Sequence, residues 1–235
     1  NVMLATGEGT EAPAPGVEWI FSTALSAAEL ERHVPQLDRG LHNPPRLVYV
    51  GRLSPEKGVA TLVRALAELD RAPGAPRPHL RVAGDGDARP ALESLARELG
   101  CADRITFAGQ LDRSALAAAL DDADLCVQPS LTEGFSKAWL DAMSRGLPVL
   151  ASDVGAARAV LGADGERGWL VPPGDPNALA AALRRTLCEP RSWPAMRARR
   201  RAYVEGRTLE TWARRIGEQC VRQWGWSFAD GRLRA

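Results

Sequence analysis

The sequence predicts an α/β fold in which a parallel sheet is covered by helices on both faces. Hydrophobic residues make up 45% of the 235 positions, which is enough to bury a substantial core. Short apolar runs alternate with segments of about ten to fifteen residues whose apolar positions have helical spacing. The strand runs are nearly continuous in apolar residues, as expected where both faces of a sheet are buried. Together these observations favour repeated βαβ units.

The predicted elements alternate through the middle of the chain. A short strand at 17–21 and a short helix, opened by a capping box of Ser26 and Glu29, come first. We then predict six strands, at 46–50, 79–83, 104–107, 124–127, 148–151 and 168–171, and helices at 59–70, 91–99, 114–120, 136–145 and 176–187. This order predicts a Rossmann-like parallel sheet followed by a C-terminal helical tail.

The two ends of the chain differ from the middle in composition. Residues 1–45 are rich in Pro, Gly and Ala, whereas residues 184–235 contain thirteen Arg and only five acidic residues. Lys occurs only at Lys57 and Lys137. We therefore divide the chain into an N-terminal linker or domain remnant at 1–45, a ligand-binding domain at 46–190 and a basic helical tail at 191–235.

The segment 129–149 carries the clearest chemical pattern. It follows an apolar strand and places Glu133 just before a helix and Asp141 on that helix. Free N–H groups at a helix start bind anions, and carboxylates accept hydrogen bonds from sugar hydroxyls. The layout therefore suits a phosphorylated, polyhydroxylated ligand. The alternative is that Lys137 and Asp141 form an i, i+4 ion pair while Glu133 complements the helix dipole. The apolar helix face is predicted at Phe135, Trp139, Ala142 and Met143.

A second pattern lies in segment 46–58, which predicts a buried strand, a glycine turn and a helix start. Ser54 is expected to cap that helix and Pro55 to occupy its first position. Arg52 and Lys57 then fall at the ligand-binding edge of the sheet, where they could hold a diphosphate. The alternative is a pair of solvated surface cations.

The two patterns together resemble the donor site of family 4 retaining glycosyltransferases, which have the two-domain GT-B fold. The resemblance covers residues 46–188 and rests on two motifs. The first is Gly-Arg-Leu-x-x-Glu-Lys-Gly at 51–58. The second is Glu-Gly-Phe at 133–135, followed by an acid at 141 and by Gly-Leu-Pro-Val at 146–149.

The resemblance implies a role for each matching residue. Arg52 and Lys57 would hold the donor diphosphate, Glu133 would contact the sugar hydroxyls and Asp141 the ribose. Because the family usually has Glu where Asp141 stands, the ribose contact could be direct, through water, or lost. The catalytic residues are therefore predicted to be Arg52, Lys57 and Glu133, without a metal or cofactor. The donor-binding residues are predicted to be Gly51, Gly84, Gly109, Gln110, Leu111, Gly134, Phe135, Ser136 and Asp141.

The implied function is transfer of a sugar from a nucleoside-diphosphate sugar to an acceptor hydroxyl, with retention of configuration. The turn at 107–111 resembles the loop that contacts the base in this family, and the alternative is an ordinary turn at the end of a strand. The alternative function is an inactive or partner-dependent module that only binds a sugar nucleotide. The resemblance does not identify the base, the sugar or the acceptor.

The family also implies a first Rossmann-like domain that supplies most of the acceptor site. Because that domain has no counterpart here, we interpret the chain as part of a longer enzyme. In the basic tail, segment 212–226, which includes Trp212, Trp224 and Trp226, is predicted to form a helix that crosses to the missing domain. The alternatives are a solvated surface, an anionic membrane surface or, less favoured, nucleic acid.

Several other sequence features argue against dinucleotide binding, metal binding and histidine catalysis. Gly84-Asp85-Gly86 does not complete a dinucleotide fingerprint, because Arg89 stands where that motif needs glycine or alanine, and 122–124 imitates a metal-binding Asp-x-Asp but precedes its strand. The histidines at 33, 42 and 79 form no catalytic pattern. Cys101, Cys126, Cys188 and Cys220 have no metal or disulfide spacing, and there is no apparent signal peptide or membrane span, so a cytoplasmic protein is expected.

Overall fold

The fold is built on a six-stranded parallel sheet, seen in a computed structural model of the chain. The structure describes residues 3–6, 8, 14–32, 40–163, 165–189, 193–229 and 232–234. The strands are β1 Met3–Thr6, β2 Val17–Ile20, β3 Arg46–Val50, β4 His79–Ala83, β5 Ile105–Gly109, β6 Leu125–Gln128, β7 Val149–Ser152, β8 Trp169–Val171, β9 Ser227–Ala229 and β10 Arg232–Arg234. The helices are α1 Ala27–Arg32, α2 Val59–Asp70, α3 Arg89–Glu98, α4 Arg113–Asp121, α5 Lys137–Ser144, α6 Ala157–Leu161, α7 Pro176–Cys188, α8 Trp193–Glu205 and α9 Leu209–Trp224.

The strand order of the main sheet is β5-β4-β3-β6-β7-β8, with every neighbouring pair parallel. The chain moves outward from β3 through β4 to β5, then returns to place β6 on the other side of β3. The order therefore reverses between β3 and β6. In open α/β sheets, ligands bind in the crevice outside the carboxyl ends of the strands at such a point.

Helices cover both faces of this sheet, as predicted. Side chains alternate along β3, so Leu47 and Tyr49 enter one core cluster and Val48 enters the other. The first cluster includes residues of α2, α3 and α7, and the second includes residues of α4, α5 and α6. The prediction of a doubly covered parallel sheet is confirmed, and β3, β4 and α2 have the predicted bounds.

The two ends of the chain pack against each other. β1 and β2 form a separate parallel pair, and Ser26 and Glu29 make the predicted reciprocal capping box. The Leu209 N–H donates to the Leu25 carbonyl at 2.8 Å, and the Ala27 N–H donates to the Glu210 carboxylate at 2.9 Å. The tail therefore lies against the N-terminal segment.

The predicted set of elements was incomplete, mainly at the chain ends. Strand β1, helices α6 and α8 and the antiparallel hairpin β9–β10 were not predicted. The tail helix was placed at 212–226, but Thr208 caps it earlier and Gly225, with φ +65°, ends it. Within the described part of the chain, no helix combines the length and apolar character needed to cross a membrane.

Candidate functional site

The loops after β3 and β6 meet at the point where the strand order reverses. The Leu131 N–H donates to the Glu56 carbonyl at 2.8 Å, so the two loops share a backbone hydrogen bond. A Cβ atom on Gly58 would lie 2.0 Å from the Pro129 carbonyl oxygen. Only glycine permits this approach, and its φ of +65° favours glycine as well. The two sequence motifs, far apart in the chain, are thus held in contact.

Lys57 and Glu133 form an ion pair across this contact. The Lys57 ammonium lies 2.7 Å from a Glu133 carboxylate oxygen, and the two side chains are only 22% and 13% exposed. The two motifs therefore contribute opposite charges to one partly buried point. A partly buried pair is screened less by solvent than a surface pair.

Arg52 lies beside this pair but is mostly free in solvent. Its side chain is 71% exposed, and its guanidinium reaches the Glu56 carboxylate only at 3.5 Å. The Ser54 hydroxyl donates to the same carboxylate at 2.6 Å and is the main reason that the pKa of Glu56 lies below its usual value. Because Arg52 has so weak a partner, its guanidinium is available for an anionic ligand.

The helix start predicted after β3 requires a correction. Residues Pro55–Lys57 form a 3₁₀ turn, and α2 begins only at Val59. Ser54 makes no capping hydrogen bond, because its hydroxyl is directed to Glu56. The left-handed backbone of Gly58 separates the turn from the helix. Lys57 consequently ends a tight turn instead of lying in the first turn of an α-helix.

Three of the predicted glycines line the same edge of the sheet. The Gly51 N–H donates to the Ala83 carbonyl at 3.0 Å, and the Gly84 N–H donates to the Gly109 carbonyl at 2.8 Å. A Cβ atom on Gly84, where φ is +147°, would lie 1.9 Å from the Gly51 carbonyl oxygen. The ends of β3, β4 and β5 are therefore joined through backbone hydrogen bonds, and at Gly84 there is no room for a side chain.

The loop at Gly134, Phe135 and Ser136 leads into α5 at the same edge. Ser136 occupies the N-cap position without a side-chain hydrogen bond to the helix, whereas Asp112 and Asp175 cap α4 and α7. No side chain of a described residue therefore caps the N–H groups of Lys137 and Ala138 in the first turn of α5, whereas the Trp139 N–H donates to the Ser136 carbonyl at 3.3 Å. Phe135 packs edge-on against Trp139, with ring centroids 6.1 Å apart. As predicted, Trp139, Ala142 and Met143 are buried on the apolar face of the helix.

The backbone of Glu133 is held by the loop after β7. A Cβ atom on Gly155 would lie 1.7 Å from the Glu133 carbonyl oxygen, and the Ala156 N–H donates to the Gly134 carbonyl at 2.9 Å. This support could not be predicted from the sequence, because neither Gly155 nor Ala156 belongs to a recognisable motif. Gly155 is therefore a site residue that sequence reasoning missed.

Asp141 opens into a neighbouring cavity of about 680 Å³ between α1, α4 and α5. Burial raises the pKa of its carboxyl group, while the charges of Arg113 and Arg145 oppose that rise. The Asp141 carbonyl accepts the Ser144 hydroxyl at 2.8 Å, but its carboxylate forms no hydrogen bond or ion pair with a described residue, so the Lys137–Asp141 pair considered as an alternative is absent from the described structure. The structure does not bring Asp141 into contact with Glu133.

The predicted base-contacting turn follows β5, with Gln110 exposed and Leu111 partly buried. Arg89 ties this turn to α3, because its guanidinium donates to the Phe107 carbonyl at 3.3 Å and to the Asp85 carboxylate at 3.3 Å. The sequence singled out Arg89 only as the residue that breaks a dinucleotide fingerprint. Its position at the sheet edge was not predicted.

The two aspartates that imitate a metal motif lie at the entry to β6, as expected. Asp122 pairs with Arg46 and Arg81. The nearly buried Asp124 accepts the Arg46 N–H at 2.7 Å and lies 2.9 Å from the His42 ring. Both carboxylates are thus occupied at the opposite edge of the sheet from Glu133. The histidine at 79 is exposed, and the one at 33 lies outside the described residues.

Comparisons with known proteins agree with this geometry. A family model for group 1 glycosyl transferases matches residues 44–189. The D-inositol 3-phosphate glycosyltransferase of Thermomonospora curvata is 40% identical over 152 residues, covering 62% of this chain and 35% of that protein. The alpha-D-kanosaminyltransferase of Streptomyces kanamyceticus is 35% identical over 151 residues, covering 64% of this chain and 38% of that protein. The chain thus spans little more than a third of these relatives.

Solved structures have the same fold. The sucrose-phosphate synthase of Thermosynechococcus elongatus superposes with a TM-score of 0.75 at 31% identity, covering 89% of this chain and 53% of that one. Anabaena HepE, solved with UDP and glucose, superposes with a TM-score of 0.71 at 24% identity, covering 88% of this chain and 57% of that one. The chain belongs to the group 1 glycosyltransferases and has the fold of a C-terminal GT-B domain.

Proposed function

We propose that this chain is the donor-binding domain of a retaining, metal-independent glycosyltransferase of family 4, which transfers a sugar from a nucleoside diphosphate to an acceptor hydroxyl. The observation that carries the proposal is the Lys57–Glu133 pair, 2.7 Å apart where the strand order reverses and with Arg52 beside it. This arrangement combines cations for a diphosphate with a carboxylate for sugar hydroxyls. No cofactor takes part.

The main chemical task of the site is to stabilise negative charge. As the bond between the anomeric carbon and the phosphate oxygen breaks, charge grows on the leaving diphosphate. Arg52 can grip phosphate oxygens with a planar fork of donors, and Lys57 supplies a compact positive charge. The uncapped N–H groups at the start of α5 add further donors. The partly buried Lys57 and the backbone N–H groups are held in place before the ligand binds, whereas the exposed Arg52 side chain becomes ordered with it.

Glu133 positions the sugar. An ionised carboxylate accepts hydrogen bonds only, so it fits ring hydroxyls and disfavours a phosphate at the same place. Its backbone is fixed by the close approach of Gly155, which limits where the carboxylate can reach. We assign Glu133 a positioning role without proton transfer.

Asp141 is proposed to contact the ribose from the neighbouring cavity. Its carboxylate is unpaired among the described residues and therefore able to accept hydroxyl hydrogen bonds. It is one methylene shorter than the glutamate usual in the family. Extending it, by Asp141→Glu, is expected to tighten nucleotide binding if the ribose lies just beyond its reach.

Retention requires the acceptor to enter on the same face as the leaving group. A donor phosphate oxygen would then take the acceptor proton, so no base from this chain is needed. The acceptor site is proposed to lie mainly in a preceding Rossmann-like domain. Four of the exposed large apolar side chains lie on α9, which supports docking of the tail against such a domain: Leu209, Trp212, Val221 and Trp224.

The test is nucleotide binding by this chain, measured by calorimetry and by thermal unfolding. UDP, GDP, ADP and dTDP form the panel, with UDP included because HepE was solved with it. Ligand at a hundred times its Kd should stabilise the fold by about 2.7 kcal/mol. Arg52→Ala should lower affinity for the bound nucleotide at least tenfold, since a charge-assisted hydrogen bond contributes about 1.5–3 kcal/mol.

Arg64→Ala is the matched control, because Arg64 is an exposed arginine on α2 and its removal changes the net charge equally. It should leave affinity unchanged. Binding that is insensitive to Arg52→Ala would refute the assignment of the site. Binding that needs Arg52 without any transfer by the assembled enzyme would favour a sugar-nucleotide-binding module instead.

A further inference from the structure

Tyr49 is a fully buried tyrosine directly beneath the candidate diphosphate site. It lies on β3 in the core cluster shared with α2, α3 and α7, and none of its surface is exposed. An apolar core position of this shape would be filled equally well by phenylalanine. A buried hydroxyl group costs free energy unless it finds a hydrogen-bond partner, so the partner of this hydroxyl is informative.

The hydroxyl of Tyr49 donates to the main-chain carbonyl of Arg52 at 2.9 Å. The intervening Gly51 has φ +153°, and a Cβ atom there would lie 2.8 Å from the same hydroxyl. The hydroxyl is therefore enclosed under the turn that follows β3. The bond reaches the main chain of Arg52, whose own side chain is exposed.

The residues on either side of Arg52 are fixed by the neighbouring strand. The Gly51 N–H donates to the Ala83 carbonyl at 3.0 Å, and the Leu53 N–H donates to the Asp85 carbonyl at 2.9 Å. The Arg52 peptide between these two anchors is held by Tyr49. Because the Arg52 side chain is 71% exposed and has only a 3.5 Å contact with Glu56, its direction depends mainly on this backbone.

We propose that Tyr49 is a positioning residue for Arg52: its hydroxyl fixes the Arg52 carbonyl and so aims the guanidinium at the donor diphosphate. The inference rests on the proposed function of Arg52. Tyr49 itself does not touch the ligand. Its contribution is preorganisation, which lowers the cost of ordering an exposed side chain when the ligand binds.

The Tyr49 hydroxyl stays a hydrogen-bond donor over the whole working pH range. Burial raises the pKa of this group well above its ordinary value, and the negative charge of Glu133 raises it further. Any effect of removing the hydroxyl should therefore be independent of pH between about 6 and 9, below the ordinary tyrosine pKa.

The experiment compares Tyr49→Phe with Tyr203→Phe, the only other tyrosine in the chain. The Tyr203 hydroxyl is also bonded, to Glu8, but it lies on α8 away from the cleft. Both variants should lose some thermal stability. Only Tyr49→Phe should lower the affinity for UDP in calorimetry, by about fivefold, as expected for one hydrogen bond.

A double-mutant cycle with Arg52→Ala tests the mechanism. If Tyr49 acts through Arg52, adding Tyr49→Phe to Arg52→Ala should weaken UDP binding no further. If Tyr49 is merely structural, the two losses should add. Unchanged UDP affinity in Tyr49→Phe, additive losses, or a Tyr49→Phe chain that fails to fold while Tyr203→Phe folds would each overturn the inference.

The same measurements distinguish a failure of the role of Tyr49 from a failure of the proposed function. Absence of binding of any nucleotide of the panel by the unaltered chain, or an Arg52→Ala variant that binds its nucleotide normally, would refute the proposed donor site and the inference with it. An Arg52→Ala variant that loses UDP affinity beside a Tyr49→Phe variant that keeps it would refute only the role of Tyr49.

Discussion

The Lys57–Glu133 pair allows a prediction about stability and about ligand affinity. The direction of the change in affinity follows from the proposed site. At the observed 2.7 Å, the attraction is about 6 kcal/mol for an effective dielectric constant of 20 and about 1.5 kcal/mol in bulk water. With side chains 22% and 13% exposed, the pair lies between these limits, and the cost of removing both charges from water offsets much of the attraction. We expect a net contribution of about 1–3 kcal/mol.

Two substitutions each remove one charge of the pair. Lys57→Met leaves Glu133 unpaired, and Glu133→Gln leaves Lys57 unpaired with the side-chain shape unchanged. Both should lower the Tm of the ligand-free chain, by about 2–4 °C for each kcal/mol lost. The control Glu218→Gln breaks the exposed Arg214–Glu218 pair, with side chains 65% and 48% exposed, and should change the Tm little.

The two variants should differ in their affinity for UDP. Lys57→Met removes a cation from the diphosphate site, so binding should weaken. Glu133→Gln removes a negative charge that would lie close to the phosphates, and UDP binding should tighten. A unit charge about 7 Å from a phosphate contributes roughly 1 kcal/mol at an intermediate dielectric constant, or about fivefold in Kd.

Calorimetric titration of UDP into the three variants at moderate ionic strength provides the measurement. Transfer from a nucleotide sugar by the assembled enzyme should nevertheless fall in Glu133→Gln, because the carboxylate that orients the sugar is lost. Weaker UDP binding in Glu133→Gln would contradict the electrostatic reasoning. An unchanged Tm in both Lys57→Met and Glu133→Gln would show that the pair contributes nothing to the ligand-free state.

Two further predictions concern stability. Because burial raises the pKa of the Asp141 carboxyl above its unfolded value, the folded chain holds this proton more tightly and loses stability as the pH rises through the raised pKa. Asp141→Asn should therefore raise the Tm at pH 7. Thermal scans at several pH values should show that this gain in Tm disappears near pH 4. A gain in Tm that does not change with pH would contradict the raised pKa of Asp141. Gly74→Ala, at φ +71° in open space, should cost about 1 kcal/mol in chemical unfolding. Gly58→Ala, at φ +65° but 2.0 Å from the Pro129 carbonyl, should cost distinctly more, and equal costs would exclude crowding between the two loops.

The sequence predicted the sheet well because its central strands β3, β6 and β7 are almost wholly buried. β3 and β4 are short and bounded by Pro or Gly, so their bounds could be placed to the residue. The chain ends lack this signal. Helix α8 contains Arg197 and Arg200, which are buried although arginine normally marks an exposed face, and periodicity therefore failed there.

The candidate site was predictable in its residues but only partly in its contacts. Motif spacing identified Lys57 and Glu133 separately, and the structure joins them directly. The Ser54 cap was wrong because local propensity could not reveal the left-handed Gly58 that delays α2. Supporting residues such as Gly155 were missed because their role is close backbone packing between loops distant in sequence.

The separation of Lys57 and Glu133 is set by backbone contacts more than by their own attraction. Gly58 lets the first loop touch Pro129, and Gly155 lets the loop after β7 touch the backbone of Glu133. A residue with a Cβ atom at Gly58 or Gly155 could not make these contacts. A change in the distance between the loops would therefore break their main-chain packing. Two charges held in this way need little rearrangement when a charged ligand arrives, which is the property that electrostatic stabilisation of a leaving group requires. Asp141, which opens into a cavity and has no described partner, lacks such support, so donor affinity is expected to depend on its side-chain length more than on that of Glu133.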